Sequence, residues 1–165
     1  MKRIVFLLLV IFYSCQTVEK KEDFTEFKRI SLSFKHLMSC KSLIVHIEKY
    51  PKGNIDVRYK YTPHKGCNAD EFSFKSYSID SIQFEKITES ILKIDRSNIE
   101  KESQTMGLDG ISTSITFYEK NKNTIMNVYD IWTPTDNTEK RKLNDYMSAY
   151  KTLVKLAHID ADSLF

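Results

Sequence analysis

The sequence has few of the residues that mark fibrous, low-complexity or membrane-spanning chains. It contains only three prolines and four glycines among 165 residues, which excludes collagen-like and low-complexity polymers. Its uninterrupted apolar run, residues 4–13, has ten residues, whereas a helix that crosses a bilayer needs about 20. A hydrophobic fraction of 41%, with 12% aromatic residues, argues against disorder. These values predict a globular body, and the length suits one domain.

The chain also lacks a strong excess of positive charge. Its net charge is +3, and removal of Lys2 and Arg3 with the leader described below lowers that value by two. Nucleic-acid-binding domains normally carry a clustered basic face and a high pI. The composition therefore predicts no nucleic-acid partner.

The first fifteen residues carry the clearest targeting signal in the chain. Lys2 and Arg3 precede the apolar run, and the small residue Ser14 precedes Cys15. A short cationic start, an apolar stretch and a small residue before the cleavage point are typical of a signal peptide. A helix of a soluble core would show polar residues every third or fourth position, and this run has none.

The end of this segment, Phe12-Tyr13-Ser14-Cys15, resembles the lipobox of bacterial lipoproteins. The resemblance implies cleavage before Cys15 and acylation of that cysteine by chains such as palmitate, and two or three chains anchor a protein stably. Gln16 after the cysteine implies transport to the outer membrane, facing either the periplasm or the cell surface. We therefore expect a signal peptide over 1–14, a lipidated and polar tether over 15–23, and one domain over 24–165.

Residues 24–165 show apolar residues with periods of two and of 3.6, which predict strands and helices respectively. The strand segments are 27–34, 43–50, 55–61, 71–77, 111–117 and 124–132, and the helices begin near Asp80 and Asp136. Strands in runs with helices between them predict an α+β fold. We expect an antiparallel sheet of about five strands with two helices packed on one face.

The turns predict how two hairpins pair. A three-residue loop pairs Tyr50 with Asn54 and makes one face of the first hairpin wholly apolar, whereas a longer loop would place Glu48 opposite Val57. Gly53 suits the left-handed position of that turn. For the second hairpin, a two- or four-residue loop pairs Phe117 with Met126, whereas a three-residue loop pairs Phe117 with Ile125, and the former register is preferred.

Two capping-box signals mark helix starts. Asp80 with Gln83 precedes the first helix, which we expect to end near Ile94, and Asp136 with Glu139 precedes the last. The apolar stripe of the last helix comprises Leu143, Tyr146, Met147, Tyr150, Leu153, Val154 and Ala157. By their spacing, the aromatic residues Tyr59, Tyr61, Phe72, Phe74, Tyr146 and Tyr150 are expected to face the core.

Two fragments resemble small periplasmic or lipoprotein domains of Bacteroidetes-type genomes. They are Ser39-Cys40-Lys41 before the first hairpin, and Asp109-Gly110 before a hairpin that ends at Trp132-Thr133-Pro134. The resemblance supports the fold and implies no particular chemistry.

The cysteines and histidines allow two interpretations. With Cys15 acylated, Cys40 and Cys67 remain, and the first hairpin places both beyond its open end, so we predict a disulfide in an oxidising compartment. The alternative is a metal site formed by His36, Cys40, His64 and Cys67, which has the right ligand types for zinc. The disulfide is favoured, and no metal or other cofactor is expected.

No nucleophile elbow, P-loop, dinucleotide fingerprint or zinc-protease motif occurs in the sequence. His46 is expected directly across from Arg58 on the polar face of the first hairpin, without a nucleophile beside it in the pattern. Trp132, before Pro134, either caps the core or stands exposed as an anchor for a partner. We expect a monomeric, non-enzymatic binding, inhibitor or assembly domain for an envelope protein or glycan. A small hydrolase or metal-binding protein using the His/Cys cluster is the alternative.

Overall fold

The computed structural model describes residues 27–63, 72–102, 110–119, 122–129 and 141–164. Along the chain these form β1 (Phe27–His36), β2 (Lys41–Lys49), β3 (Ile55–Thr62), β4 (Ser73–Ile79), α1 (Ser81–Leu92), α2 (Arg96–Glu102), β5 (Ile111–Glu119), β6 (Lys122–Tyr129), α3 (Asn144–Leu156) and a 3-10 turn, Ala161–Leu164. In this part of the chain, no helix is long and apolar enough to span a membrane.

The strands form one antiparallel sheet in the order β4-β3-β2-β1-β5-β6. The first strand of the sequence therefore lies inside the sheet, between β2 and β5. The helices pack on one face, which confirms the predicted α+β architecture. The described part contains six strands and three α-helices, where we expected about five and two.

In β1, β2, β3 and β5, apolar residues alternate with polar ones, so the inner face of the sheet is continuously apolar. Side chains of this face, including Leu32, Val45 and Ile115, are fully buried. The stripe of α3 covers them, with Tyr146, Tyr150 and Leu153 also inaccessible to solvent. Each apolar side chain of this size contributes about 1.5–3 kcal/mol when it leaves water. The core thus lies between the sheet and the helices.

The first hairpin has the predicted register. Leu43 pairs with Tyr61 and Ile47 with Val57, and the Tyr50 amide donates to the Asn54 carbonyl at 2.8 Å. Gly53 has φ of +89°, the left-handed conformation that glycine adopts without a steric penalty.

The predicted register of the second hairpin is wrong by two residues. Phe117 pairs with Thr124, and Met126 instead lies opposite Ile115, because the loop between β5 and β6 closes at Glu119 and Lys122. A slip of two residues preserves the facing of each side chain, whereas a slip of one reverses it. Met126 and Val128 are accordingly buried, as an inner position requires.

Helix α1 begins as predicted. The Gln83 amide donates to Asp80 Oδ1 at 2.7 Å, and the Asp80 amide donates to Gln83 Oε1 at 3.4 Å, which completes a capping box. The helix ends at Leu92, close to the expected end near Ile94. Asp95 lies just before the second helix, α2. Its carboxylate accepts hydrogen bonds from the Ser97 and Asn98 amides.

The last helix starts later than expected. It begins at Asn144, and Lys142 before it has φ of +56°, a conformation that interrupts a right-handed helix. A helix continuous from the Asp136 signal is therefore excluded at this point, and Asp136 itself lies outside the described residues. The predicted apolar stripe is buried except for Met147, which is partly buried.

The expectation that Phe72 and Phe74 face the core is wrong. Phe74 pairs with Lys60 on the outer face of the sheet, and the two rings are 51% and 61% exposed. Strand β4 is oriented by its other end, where Ile79 is buried and the Tyr77 hydroxyl donates to the Leu156 carbonyl. Those contacts place Phe74 on the solvent side because neighbouring side chains alternate across a strand.

Candidate binding site on the open face of the sheet

The outer face of the sheet is not covered by any helix in the described residues, and its side chains align across the strands. One row, which we call the first polar row, crosses all six strands: Ser78, Asp56, Glu48, Arg29, Tyr118 and Asn123. The second polar row lies next to it and comprises Ser76, Arg58, His46, Ser31 and Thr116; the apolar Ile125 follows Thr116 on β6.

Between these rows lies a hollow of about 410 Å³. It is lined by five members of the first row, Asp56, Glu48, Arg29, Tyr118 and Asn123, and four of the second, Arg58, His46, Ser31 and Thr116. Its volume falls in the range of small-molecule sites, about 300–1,000 Å³. Ser31 and Thr116, which pair with each other across β1 and β5, contribute two short hydroxyl side chains to this lining.

Glu48 organises the charged wall of the hollow. Its Oε1 atom accepts a hydrogen bond from Arg29 Nη2 at 2.9 Å, and its Oε2 atom accepts one from the Tyr50 hydroxyl at 3.2 Å. Arg58 Nη2 in turn donates to the Tyr50 hydroxyl at 2.7 Å. The hydrogen bond from Arg29 lowers the pKa of Glu48, and the same contact raises that of Arg29. The network fixes two guanidinium groups beside one carboxylate.

His46 lies directly opposite Arg58, as predicted. Its Nδ1 atom is 2.8 Å from Ser31 Oγ, within hydrogen-bonding distance. Partial burial lowers the pKa of His46, and the positive charges of Arg29 and Arg58 lower it further. The lowered pKa favours the neutral imidazole, in which one ring nitrogen donates a hydrogen bond and the other accepts one.

Ser31 and His46 have the spacing of a nucleophile and its base. A catalytic arrangement also needs a group that orients the base and donors that stabilise the developing charge. Among the described residues no carboxylate is hydrogen-bonded to His46, and Glu48 is already held by Arg29 and Tyr50. The arrangement is thus suited to binding through several hydrogen bonds.

The predicted cysteine and metal residues are only partly described. Cys40 lies in the turn after β1 with φ of +54°, and its sulfur is disulfide-bonded. Cys67 and His64 also lie outside those ranges, so the pairing of Cys40 with Cys67 stays a prediction. His36 ends β1, where its Nδ1 atom accepts a hydrogen bond from the Ser39 amide at 3.4 Å.

No group of three metal-ligating side chains occurs in the residues that the structure covers. Because His64 and Cys67 are not among them, the four-residue metal hypothesis is untested. The lipidation site Cys15 and the proposed anchor Trp132 also lie outside the described part.

Most of the hollow was not predicted from the sequence. The His46–Arg58 pair was found because both residues belong to one local hairpin. Arg29, Ser31 and Tyr118 join them only because β1 lies between β2 and β5. The polar residues at alternate positions of β1 and β5 were a signal for an exposed face, but the local sequence does not reveal that these faces adjoin.

No protein-family model matches the chain, and none of the curated proteins is detectably similar to it.

Proposed function

We propose that this chain is a lipid-anchored protein of the cell envelope, carried to the outer membrane, and that its folded domain is a non-enzymatic binding module. The observation that carries the binding role is the hollow on the open face of the sheet. There the two polar rows supply donors and acceptors without a catalytic arrangement among the described residues. Large antiparallel sheets commonly leave one face to solvent, but this face also holds a fixed network of charged groups.

The position of the hollow agrees with a site close to the anchor. Strand β1 begins at Phe27, twelve positions after Cys15, and Arg29 is already part of the first polar row. A fully extended chain of that length reaches at most about 40 Å. A lipidated Cys15 would thus hold the start of β1 within about 40 Å of the bilayer.

The membrane anchor can be tested by replacing its cysteine. Cys15→Ser should release the protein from the membrane fraction or leave it unprocessed, because the sulfur that carries the lipid is removed. Ser14→Ala is the matched control, since it keeps a small residue before the cysteine and should leave processing intact. A Cys15→Ser protein that remains in the membrane fraction at its mature mass would show that the anchor is elsewhere.

The binding role can be tested by photo-crosslinking in intact cells. A photoreactive amino acid at Asn123, on the rim of the hollow, should form a defined adduct with an envelope component. The same amino acid at Lys151, an exposed position of α3, should not. Equal labelling at both positions, or no adduct at Asn123, would contradict a binding role for the open face.

A hydrolase is the second candidate, and the distance between Ser31 and His46 is the observation that favours it. A serine-directed fluorophosphonate probe should label Ser31 only if His46 activates that hydroxyl. Our proposal predicts no labelling above that of Ser31→Ala. Stoichiometric labelling that disappears in Ser31→Ala would establish the hydrolase.

A further inference from the structure

We propose that the hollow binds an uncharged sugar, as a monosaccharide unit of a glycan. This inference rests on the proposed binding function and specifies its ligand. It follows from three properties of the lining residues: their charges are balanced, their polar groups both donate and accept, and an aromatic ring borders them.

The charges of the hollow balance one another. Arg29 and Arg58 contribute two positive charges, and Glu48 and Asp56 contribute two negative charges. Arg29 and Glu48 are already joined at 2.9 Å, and Asp56 accepts a hydrogen bond from the Ser78 hydroxyl at 3.0 Å. An anionic or zwitterionic ligand would have to compete with these internal partners for each charge.

A hydroxyl group can bind without separating the charged pairs. It donates one hydrogen bond and accepts others, so it can donate to a carboxylate and accept from the adjacent guanidinium. Hydrogen bonds to charged groups are also stronger than those between neutral groups. Glu48, which lies beside Arg29 and Arg58, can therefore hold adjacent hydroxyls together with those guanidinium groups, and adjacent hydroxyls are what a sugar ring presents.

The second polar row extends the same chemistry. His46 adds an imidazole whose lowered pKa favours its neutral form, and Ser31 and Thr116 add two hydroxyls to the lining. Each of these groups can take either role in a hydrogen bond. Such a lining suits a ligand whose own groups are both donors and acceptors.

Tyr118 supplies the apolar surface that a sugar also needs. Its side chain lines the hollow and is 40% exposed. An aromatic residue with a polar end offers an apolar ring face beside hydrogen-bonding groups. A sugar has the matching character, because its C–H bonds form an apolar patch beside its hydroxyls.

The test is a calorimetric titration of the detergent-solubilised full-length protein. The ligands are neutral oligosaccharides of glucose, galactose, mannose and N-acetylglucosamine. The zwitterionic dipeptide alanylalanine is the competing probe. Tyr118→Ala should weaken binding of the preferred sugar at least tenfold, and Tyr118→Phe should change it less than threefold. Phe74→Ala, which removes an exposed aromatic ring from the same face outside the hollow, should leave it unchanged.

Ionic strength separates the two ligand classes. Between about 0.1 M and 1 M salt, the Debye length falls from about 10 Å to about 3 Å. Sugar binding should change less than threefold over that range, whereas binding through charge should weaken at least tenfold. Binding of alanylalanine in preference to every sugar, or sugar binding that survives Tyr118→Ala, would overturn the inference.

The proposed function and this inference can fail separately. Adducts at Asn123 that contain only protein, together with no binding of any sugar in the panel, would refute the sugar and keep the binding role. Absence of an adduct at Asn123 would refute the binding role itself. A sugar adduct at Asn123 that Tyr118→Ala abolishes would support both.

Discussion

The two faces of the sheet come from the same strands but obey different constraints. On β1, Leu32 points to the helices and is fully buried, whereas its neighbour Ser33 points to solvent. The inner face must match the shapes of α1 and α3, so nearly every inner side chain is apolar. The outer face is free of that packing, and its side chains instead form aligned polar rows. Stability therefore resides mainly on one face and the candidate ligand chemistry on the other.

The largest difference between the two faces is expected when one side chain on each face of the same strand is shortened. Leu32→Ala should lower the free energy of unfolding by about 3 kcal/mol, because it leaves a cavity in the core. Ser33→Ala should change it by no more than about 0.5 kcal/mol. Urea denaturation of both variants measures the difference. Similar losses in the two would mean that the outer face is also buried, as by a second copy of the chain.

The next largest effect is expected at the turn closed by Tyr50 and Asn54, which sets the register of the first hairpin and so the face on which each of its side chains lies. Gly53→Val should lower the free energy of unfolding by about 1–2 kcal/mol, because a β-branched residue resists a positive φ. Nothing lies within 4 Å of a Cβ at this position, so the loss would come from the backbone alone. Gly53→Asn is the control, since asparagine tolerates the left-handed region. A neutral Gly53→Val in thermal or urea denaturation would show that the turn does not need glycine.

A smaller effect is expected at the start of the helix that covers one edge of the inner face. Asp80→Ala should lower the free energy of unfolding by about 1 kcal/mol, because the Gln83 amide loses its acceptor. Ser81→Ala changes an exposed residue of the same turn and should be close to neutral. Equal effects of the two substitutions would argue that the capping box contributes nothing to stability.

The smallest predicted effect is on the open face and depends on pH. Arg29 lowers the folded-state pKa of Glu48, so the pair contributes stability above the ordinary carboxyl pKa. That contribution is lost as pH falls through the lowered value. Because both groups are partly exposed, it should not exceed about 1 kcal/mol. In Arg29→Gln, the free energy of unfolding should therefore fall less steeply as the pH is lowered. Lys35→Gln, which removes a charge from the same face, is the control and should keep the original slope. Identical slopes in urea titrations at several pH values would contradict this.

The sequence predicted the features that depend on contacts between residues close together in the chain, and it failed for those that depend on distant contacts. The period-two alternation identified the inner residues of β1, β2, β3 and β5, and the Asp80–Gln83 signal located α1. These features depend on residues close together in the chain. The helix after Asp95 was missed because its apolar content is a single buried residue, Ile99, too little for a periodic signal.

Distant pairing is what the local pattern could not supply. The outward facing of Phe74 depends on how β4 docks through Tyr77 and Ile79, and the hollow depends on the placement of β1 between β2 and β5. The register of the second hairpin depended on where the loop closed, and its apolar pattern tolerated a slip of two. The candidate site was therefore the least predictable part of the molecule, because its lining residues come from five strands.

The central position of β1 also sets the order in which the fold can be completed. Hairpins β2–β3 and β5–β6 join neighbouring segments and can close early. Strand β1 also pairs with β5, however, and Ile30 must meet Phe117, so a loop of many residues has to close first. Contacts of this kind slow folding because the chain loses entropy before the contact is gained. During synthesis, the amino-terminal strand must wait for β5 to emerge. Until then one edge of β1 remains unpaired.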